Sequence, residues 1–162
     1  MDTVALALTP DRQLLRKRLK TPSRQVQKEF PLPYLILCVD DDHIASTVCR
    51  LLLSIRGYAV LTATSTKAAF DLFNCNPVDL VITDHLLSDG TGAELTVKMK
   101  SLKPQVPVVL LTGWGDMVPG YDRADRLLSK CITPEDFLAE VASLLSNHND
   151  DPRRSRTSIP VP

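Results

Sequence analysis

Short apolar runs alternate with stripes of apolar residues at helical spacing through the middle of this chain, and this alternation limits the folds that it can adopt. Near-continuous apolar runs are typical of strands that are buried on both faces of a parallel sheet. Strands that alternate with helices are typical of a doubly wound α/β fold. The sequence therefore predicts an α/β fold with a doubly wound, five-stranded parallel sheet. Its predicted strands are residues 34–39, 58–63, 78–83, 106–112 and 126–130.

The predicted helices lie between these strands and after the last one. Apolar residues recur at helical spacing over three segments, residues 44–55, 68–73 and 95–102. The stripe of the first segment consists of Ile44, Val48, Leu51, Leu52 and Ile55. Gly57 is expected to end that helix. Glycines and Pro119 interrupt residues 113–125, so the fourth helix is predicted to be short or irregular. The last helix has a clear start signal, with Thr133 as its cap and Pro134 at its first position.

Charged and polar side chains stand where four of the predicted strands end. They are Asp40, Asp41 and Asp42 after the first strand, Asp84 after the third, Thr112 in the fourth and Lys130 in the fifth. Ligands of doubly wound folds bind at the carboxyl ends of the strands, so we expect these side chains to converge. Three crowded carboxylates repel one another unless a cation intervenes, and Mg²⁺ suits oxygen ligands and phosphate. A carboxylate in such a site can act as a nucleophile and carry a phosphoryl group.

Four motifs in this order resemble the receiver domain of two-component response regulators, a CheY-like domain. They are ILCVDDD (36–42), DLVITDHLLSDGTG (79–92), PVVLLTG (107–113) and LLSK (127–130). The resemblance implies a flavodoxin-like strand order, 2-1-3-4-5. It also implies a signalling switch that accepts a phosphoryl group from a histidine kinase or a phosphotransfer protein.

The resemblance assigns a role to each polar residue of the predicted site. Asp84 is the implied phosphoacceptor, Thr112 would hydrogen-bond the phosphoryl group, and Lys130 would pair with it. Mg²⁺ is the implied cofactor, and its implied ligands are Asp40, Asp41, Asp84 and the backbone carbonyl of Leu86. Asp42 has a different expected role, as the N-cap of the first helix.

Three positions depart from the family's usual pattern. Ser88 and Cys131 stand where the family usually has proline, and Leu127 stands where it usually has an aromatic residue. A non-proline cis bond costs about 3 kcal/mol, so the Lys130–Cys131 bond is expected to be either trans or part of a strained loop. The departures put the family's usual output surface in question, whereas the residues for the chemistry are all present.

Two further positions of the family tune how fast water attacks the phosphoryl group. They are occupied here by Leu86 and Trp114, which are apolar and cannot orient a water molecule. We therefore expect a regulatory phosphoacceptor domain whose own catalytic activity is limited to slow self-dephosphorylation. Gly92 and Gly113 match small residues that the family places beside the site.

Charge is distributed unevenly, although 19 basic and 19 acidic residues balance over the whole chain. Residues 1–33 contain seven basic and three acidic side chains, whereas residues 34–146 contain nine basic and fourteen acidic ones. We interpret residues 1–33 as a basic, flexible extension or linker, residues 34–146 as the receiver domain, and residues 147–162 as a disordered tail. Sixteen residues follow residue 146 (162 − 146 = 16), so we expect either output through contacts with a downstream protein or a role as a phosphate relay or sink. The predicted partners also include a second copy of the chain.

The composition of the chain indicates its cell compartment and excludes some classes of partner. No apolar run reaches the roughly 20 residues that a membrane-spanning helix needs, and the first residues do not resemble a signal peptide. We expect a cytoplasmic protein that binds neither membrane nor, through the receiver domain, nucleic acid. Its thiols are then reduced, and the cysteines are interpreted as small core residues, namely Cys38, Cys49, Cys75 and Cys131.

Two other functions remain open on the sequence alone. A phosphatase of the haloacid dehalogenase type also places an Asp-x-Asp pair after a strand, here Asp40 and Asp42, but Ile44 stands where that class usually has threonine. Its nucleophile would be Asp40 instead of Asp84. A receiver-like module that never accepts phosphate is the third hypothesis, and the presence of Asp84, Thr112 and Lys130 argues against it.

Overall fold

A computed structural model describes residues 33–113 and 121–147 of the chain. Five parallel strands form one sheet, and they are β1 Leu35–Val39, β2 Ala59–Ala63, β3 Leu80–Asp84, β4 Val108–Thr112 and β5 Arg126–Ser129. Four α-helices accompany them in the described residues: α1 His43–Ile55, α2 Thr66–Cys75, α3 Gly92–Leu102 and α4 Pro134–Asn147. The strand order is β2-β1-β3-β4-β5, which confirms the predicted fold and its order.

The sheet is apolar on both faces because each face supports its own core. Successive side chains of a strand point to opposite faces, so Leu37 and Val39 of β1 join one core while Ile36 and Cys38 join the other. Helices α2 and α3 cover the first core, α2 through Phe73 and α3 through Leu95 and Met99. Helices α1 and α4 cover the second core. This double burial explains why β1 appears in the sequence as an unbroken apolar run.

Helix ends follow the predicted capping residues. The Asp42 side chain caps α1, since its Oδ1 accepts hydrogen bonds from the backbone N–H groups of Ile44 at 2.8 Å and Ala45 at 3.4 Å. Beyond the other end of α1, Gly57 adopts a φ of 84°, a left-handed conformation that favours glycine. The Thr133 hydroxyl accepts from the backbone N–H of Asp136 at 3.1 Å and so caps the first turn of α4.

The packing of α1 differs from what its apolar stripe suggests. Four of the five stripe residues are largely exposed, with fractions of 76% for Ile44, 50% for Val48, 59% for Leu51 and 72% for Ile55. Leu53, which the stripe omits, is fully buried against the sheet. The helix is apolar on two sides, and spacing alone does not show which side the sheet covers. An apolar stripe therefore faces outward along α1.

The cysteines do not all lie in the core as predicted. Cys38 is buried and Cys49 is half-buried, but Cys75 and Cys131 are exposed. The hydrogen bond between the Cys38 and Cys49 side chains, together with burial, holds the pKa of the Cys38 thiol well above its ordinary value. The interpretation as small core residues is therefore wrong for Cys75 and Cys131.

Some sequence predictions concern the part of the chain around the fourth helix and the two flanks. Residues 1–32, 114–120 and 148–162 lie outside the described residues, and with them Trp114 and most of both predicted flanks. After the undescribed segment, a single 3₁₀ turn spans Tyr121–Arg123 before β5 begins.

No cis peptide bond occurs in the described residues, so the Lys130–Cys131 bond is trans. None of the described helices is both long and apolar enough to span a membrane.

A tight hairpin follows β3 and is tied to the start of α2 by one carboxylate. The hairpin pairs Leu86–Leu87 with Gly90–Thr91. Within it, Asp89 accepts hydrogen bonds from the Thr66 backbone N–H at 2.7 Å, the Thr66 hydroxyl at 2.8 Å and the Lys67 backbone N–H at 3.3 Å. These bonds, led by the one from the Thr66 N–H, lower the pKa of Asp89.

We expect Asp89→Asn to lower the urea midpoint at pH 7 and to lose this effect in acid. A carboxyl group whose folded pKa is lowered stabilises the fold above its unfolded value of about 3.9, and the contribution disappears as pH falls through the folded pKa. Unfolding of both proteins at neutral and acidic pH measures this difference. Asp71→Asn, which removes an exposed pair with Lys67, is the control and should change little. Equal midpoints for Asp89→Asn and wild type at pH 7 would contradict the expectation.

Candidate functional site

Four strands of the sheet bring polar side chains to their carboxyl ends. Asp40 follows β1, Asp84 is the last residue of β3, Thr112 is the last residue of β4, and Lys130 follows β5. The strand ladders continue just beyond these ends. The His85 N–H donates to the Leu111 carbonyl at 2.9 Å, and the Lys130 N–H donates to the Thr112 carbonyl at 2.8 Å. Backbone pairing thus sets the relative positions of the site residues.

Lys130 bridges two of the acidic side chains. Its Nζ lies 2.7 Å from Oδ2 of Asp84 and 3.2 Å from Oδ2 of Asp40. Burial alone would lower the pKa of Lys130, but the hydrogen bond and charge of Asp84, followed by those of Asp40, raise it above its ordinary value. Lys130 therefore stays protonated at neutral pH and offsets part of the negative charge.

Three carboxylates lie close enough together to hold a metal ion. In the described residues, no other group of three or more histidine, cysteine or acidic side chains does so. One oxygen of each of Asp40, Asp41 and Asp84 lies within 4.8 Å of the others. Asp40 and Asp84 are 7% and 9% exposed, whereas Asp41 faces solvent. Three acids against one lysine leave a formal charge of −2, which a divalent cation would neutralise. The donor set consists of hard oxygen ligands, which Mg²⁺ prefers.

Asp42 is adjacent to this group but is engaged elsewhere. Its Oδ1 caps α1, while its backbone N–H donates to Oδ1 of Asp40 at 2.9 Å. This hydrogen bond orients Asp40 and leaves the Oδ2 atom of Asp40 to Lys130. The Asp-x-Asp pair that would serve a dehalogenase-type phosphatase is thus divided between the site and a helix cap.

Thr112 and Gly113 complete the site at the end of β4. Thr112 is 5% exposed and pairs in register with Ser129 of β5, next to Lys130. A Cβ atom on Gly113 would meet no heavy atom within 4 Å, so there is open space beside Thr112. The roles that the resemblance implies for both residues stay predictions.

Gly92 permits a close approach of α3 to the backbone of Asp84. A Cβ atom on Gly92 would lie 2.0 Å from the carbonyl oxygen of Asp84 and 2.8 Å from a Leu110 methyl group. The Gly92 N–H also donates to the His85 carbonyl at 2.9 Å. Only glycine fits here. The close approach therefore explains why the motif DLVITDHLLSDGTG ends in glycine, at Gly92.

Two residues that follow the phosphoacceptor candidate have less defined roles. Leu86 follows His85 in the short hairpin and is 60% exposed, so its apolar side chain lies close to the site in sequence but faces solvent. The Leu86 carbonyl as a metal ligand stays a prediction. Nδ1 of His85 is buried without a hydrogen-bond partner. His85 does not belong to the carboxylate group.

Known proteins that resemble this chain belong to the class that the fold and the site indicate. The family model of the response regulator receiver domain matches residues 36–142. Response regulator MprA of Mycobacterium sp. (strain KMS) is 32% identical over 124 residues, which cover 74% of this chain and 54% of MprA. The chain thus spans about half the length of such curated relatives.

Solved structures give the same class. A CheY-like receiver domain from Methanospirillum hungatei JF-1 superposes with a TM-score of 0.69 at 26% identity, covering 72% of this chain and 97% of that one. Response regulator TrrA from Thermotoga maritima, solved in complex with Mg²⁺ and BeF, has a TM-score of 0.66 at 25% identity, covering 68% and 98%. The fold and the acidic site are those of a receiver-type α/β domain. The chain belongs to the response regulator receiver domain family, and it is a receiver domain of two-component signalling.

Proposed function

We propose that Asp84 accepts a phosphoryl group from a histidine kinase or phosphotransfer protein, and that Asp40, Asp41, Thr112 and Lys130 assist this transfer. The observation that carries the proposal is the ion pair between Lys130 and a nearly buried Asp84 at the end of the central strand β3. A carboxylate held there beside two further acids suits reversible phosphorylation more than structural capping does. The Asp84 backbone is fixed by its register with Leu111.

The proposed step is a displacement at phosphorus by the Asp84 carboxylate. An oxygen of Asp84 forms the new P–O bond while the P–N bond of the donor phosphohistidine breaks, and its electron pair returns to the imidazole, which then takes a proton from water. Lys130 lies where it can pair with the transferred oxygens after leaving the carboxylate. The Thr112 hydroxyl would hydrogen-bond the same group. Positioning and charge neutralisation dominate such transfers.

Mg²⁺ is the proposed cofactor, held by Asp40, Asp41 and Asp84 with the Leu86 carbonyl as a further ligand. When bound, it supplies positive charge that offsets the carboxylates and the incoming phosphate. The three carboxylate oxygens within 4.8 Å and the exposed position of Asp41 fit a cation that keeps some of its water. Asp41 would face the ion from the solvent side while Lys130 faces the acids from β5.

The alternative functions predict different chemistry at the same residues. A dehalogenase-type phosphatase would form its phosphoenzyme on Asp40, and a phosphate-independent module would form none. Reaction with acetyl phosphate and Mg²⁺, followed by peptide mapping of the modified aspartate, tests all three. Phosphate on Asp84 supports the proposal, phosphate on Asp40 supports the phosphatase, and no adduct supports the phosphate-independent module. The domain's own catalysis is proposed to be limited to slow self-dephosphorylation.

We further propose that the phosphodonor protein docks on the exposed apolar stripe of α1. The stripe comprises Ile44, Val48, Leu51 and Ile55, four residues that recur at i, i+4, i+7 and i+11 along the helix and are all at least half exposed. The stripe begins two residues after Asp42, so a partner bound along it reaches the carboxylates at the start of α1. A contiguous apolar surface of this kind is typical of a protein interface.

We expect Val48→Asp to reduce phosphorylation by a protein donor at least about tenfold, because a charge in an apolar interface costs on the order of 1.4 kcal/mol or more. Phosphorylation by acetyl phosphate should stay within about twofold of wild type. The measurement uses a phosphorylated histidine kinase that labels the wild-type chain in vitro. Val97→Asp is the matched control, since Val97 is 46% exposed on α3 and belongs to a different helix. Equal losses for both variants with the protein donor would overturn the docking site.

The output and location of the protein also belong to this proposal. Its curated relatives include transcriptional regulators of which the aligned part of this chain covers about half, so the signal that the whole protein passes on is not fixed by the receiver domain. We propose output through contacts with a downstream protein or within a homodimer, and a cytoplasmic location.

A further inference from the structure

Two cysteine side chains meet between the sheet and α1. The sulfur atoms of Cys38 in β1 and Cys49 in α1 lie 3.2 Å apart. A disulfide bond is about 2.04 Å long, so the atoms need to approach by about 1.2 Å (3.2 − 2.04) to form one. The two residues are eleven positions apart in sequence, and the structure alone brings them together.

The pair is accessible from one side. Both cysteines line a cavity of about 320 Å³ that also reaches Asp40 and Lys130. Cys38 is 1% exposed, whereas Cys49 is half-buried, so Cys49 is the more accessible of the two residues. The other two cysteines of the chain, Cys75 and Cys131, are exposed and do not take part in this contact.

We propose that Cys38 and Cys49 form a redox-active dithiol that hydrogen peroxide converts into an intramolecular disulfide. In the first step the Cys49 sulfur attacks one peroxide oxygen, the O–O bond breaks, and Cys49 becomes a sulfenic acid while water leaves. In the second step the Cys38 sulfur attacks the Cys49 sulfur and a second water leaves with the Cys38 proton. Two thiols lose two electrons, and one peroxide becomes two waters.

The bond would fasten α1 to the central part of the sheet beside the acidic site. Cys38 precedes Asp40 by two residues in the chain, and Asp42 caps the same helix that holds Cys49. A disulfide that closes this short loop restricts the unfolded chain and so stabilises the fold. This proposal does not depend on phosphoryl transfer, because the contact exists in the structure without it.

The test uses the full chain with Cys75→Ser and Cys131→Ser, which leaves only the proposed pair. Peroxide treatment should lower the intact mass by two hydrogen atoms and produce a peptide that links Cys38 to Cys49. It should also raise the urea midpoint, and dithiothreitol should reverse all three changes. Free thiols are counted by alkylation in denaturant, so that burial of Cys38 does not hide them.

The wild-type chain is used to choose the peroxide concentration. This concentration is raised until the exposed Cys75 and Cys131 of the wild type are modified. At that dose, an oxygen adduct on Cys49, covalent dimers, or two unmodified thiols in the double variant would each overturn the proposal. Adding Cys49→Ser to the double variant should abolish the mass loss while leaving a folded protein, since Cys49 is only half-buried. A mass loss that persists in this triple variant would also overturn it.

Discussion

Asp84→Asn is expected to abolish the phosphoryl adduct that acetyl phosphate forms on this chain in the presence of Mg²⁺. The amide lacks the nucleophilic oxygen charge of a carboxylate, so no acyl phosphate forms. Intact mass spectrometry of the wild type and variant after the same incubation measures the result. We expect one phosphoryl group per wild-type molecule and none on the variant.

The control for this experiment removes a neighbouring acid but spares Asp84. Asp42→Asn alters the α1 cap rather than the Asp84–Lys130 pair and should still be phosphorylated. Removal of Mg²⁺ with a chelator should strongly slow the wild-type reaction, because three carboxylates and one lysine leave the site negatively charged. The proposed function would be contradicted by a wild-type chain that takes up no phosphate. It would also be contradicted by an Asp84→Asn variant that takes up as much phosphate as wild type.

Gly92→Ala is expected to destabilise the fold strongly. The new Cβ would lie 2.0 Å from the Asp84 carbonyl oxygen, so either β3 or the start of α3 has to move. Forced overpacking of this kind costs about 3 kcal/mol. We expect a clear fall in the urea midpoint at unchanged slope. If β3 moves, Asp84 moves with its carbonyl, and uptake of phosphate should fall as well.

Gly113→Ala is the matched control, since its added Cβ meets nothing within 4 Å. It should change the free energy of unfolding by less than about 1 kcal/mol. If Gly92→Ala and Gly113→Ala unfold at the same midpoint, the close approach of α3 to Asp84 does not constrain the fold as argued.

The sequence predicts the structure best where burial or charge allows only one arrangement of the chain. Short apolar runs predict β1 to β5, and residues at the strand ends predict which side chains meet. The third strand differs at its ends, since the sequence predicts residues 78–83 and the structure has Leu80–Asp84. The carboxyl end extends to Asp84 because Asp84 itself pairs in the ladder with Leu111.

Features that depend on contacts distant in sequence cannot be predicted in this way. The outward stripe of α1 has the same spacing as a buried one, so periodicity does not distinguish Ile44 from Leu53. The hydrogen bonds that Thr66 donates to Asp89 span 23 positions, and the sequence signal nearest to them is only the Asp89–Gly90 turn pair. The contact of Cys38 with Cys49 likewise depends on how α1 lies on β1.

The position of β5 has a consequence for how the site fails. β5 has a single neighbour in the sheet and only four residues, and Lys130 follows it directly. Outermost strands with few partners are the first to fray in native proteins. Loss of β5 alone would remove the ammonium group from Asp40 and Asp84 while the inner strands keep the carboxylates in place. Partial melting would therefore leave a folded protein with a more strongly negative cleft, and acceptance of phosphate would disappear before the rest of the structure.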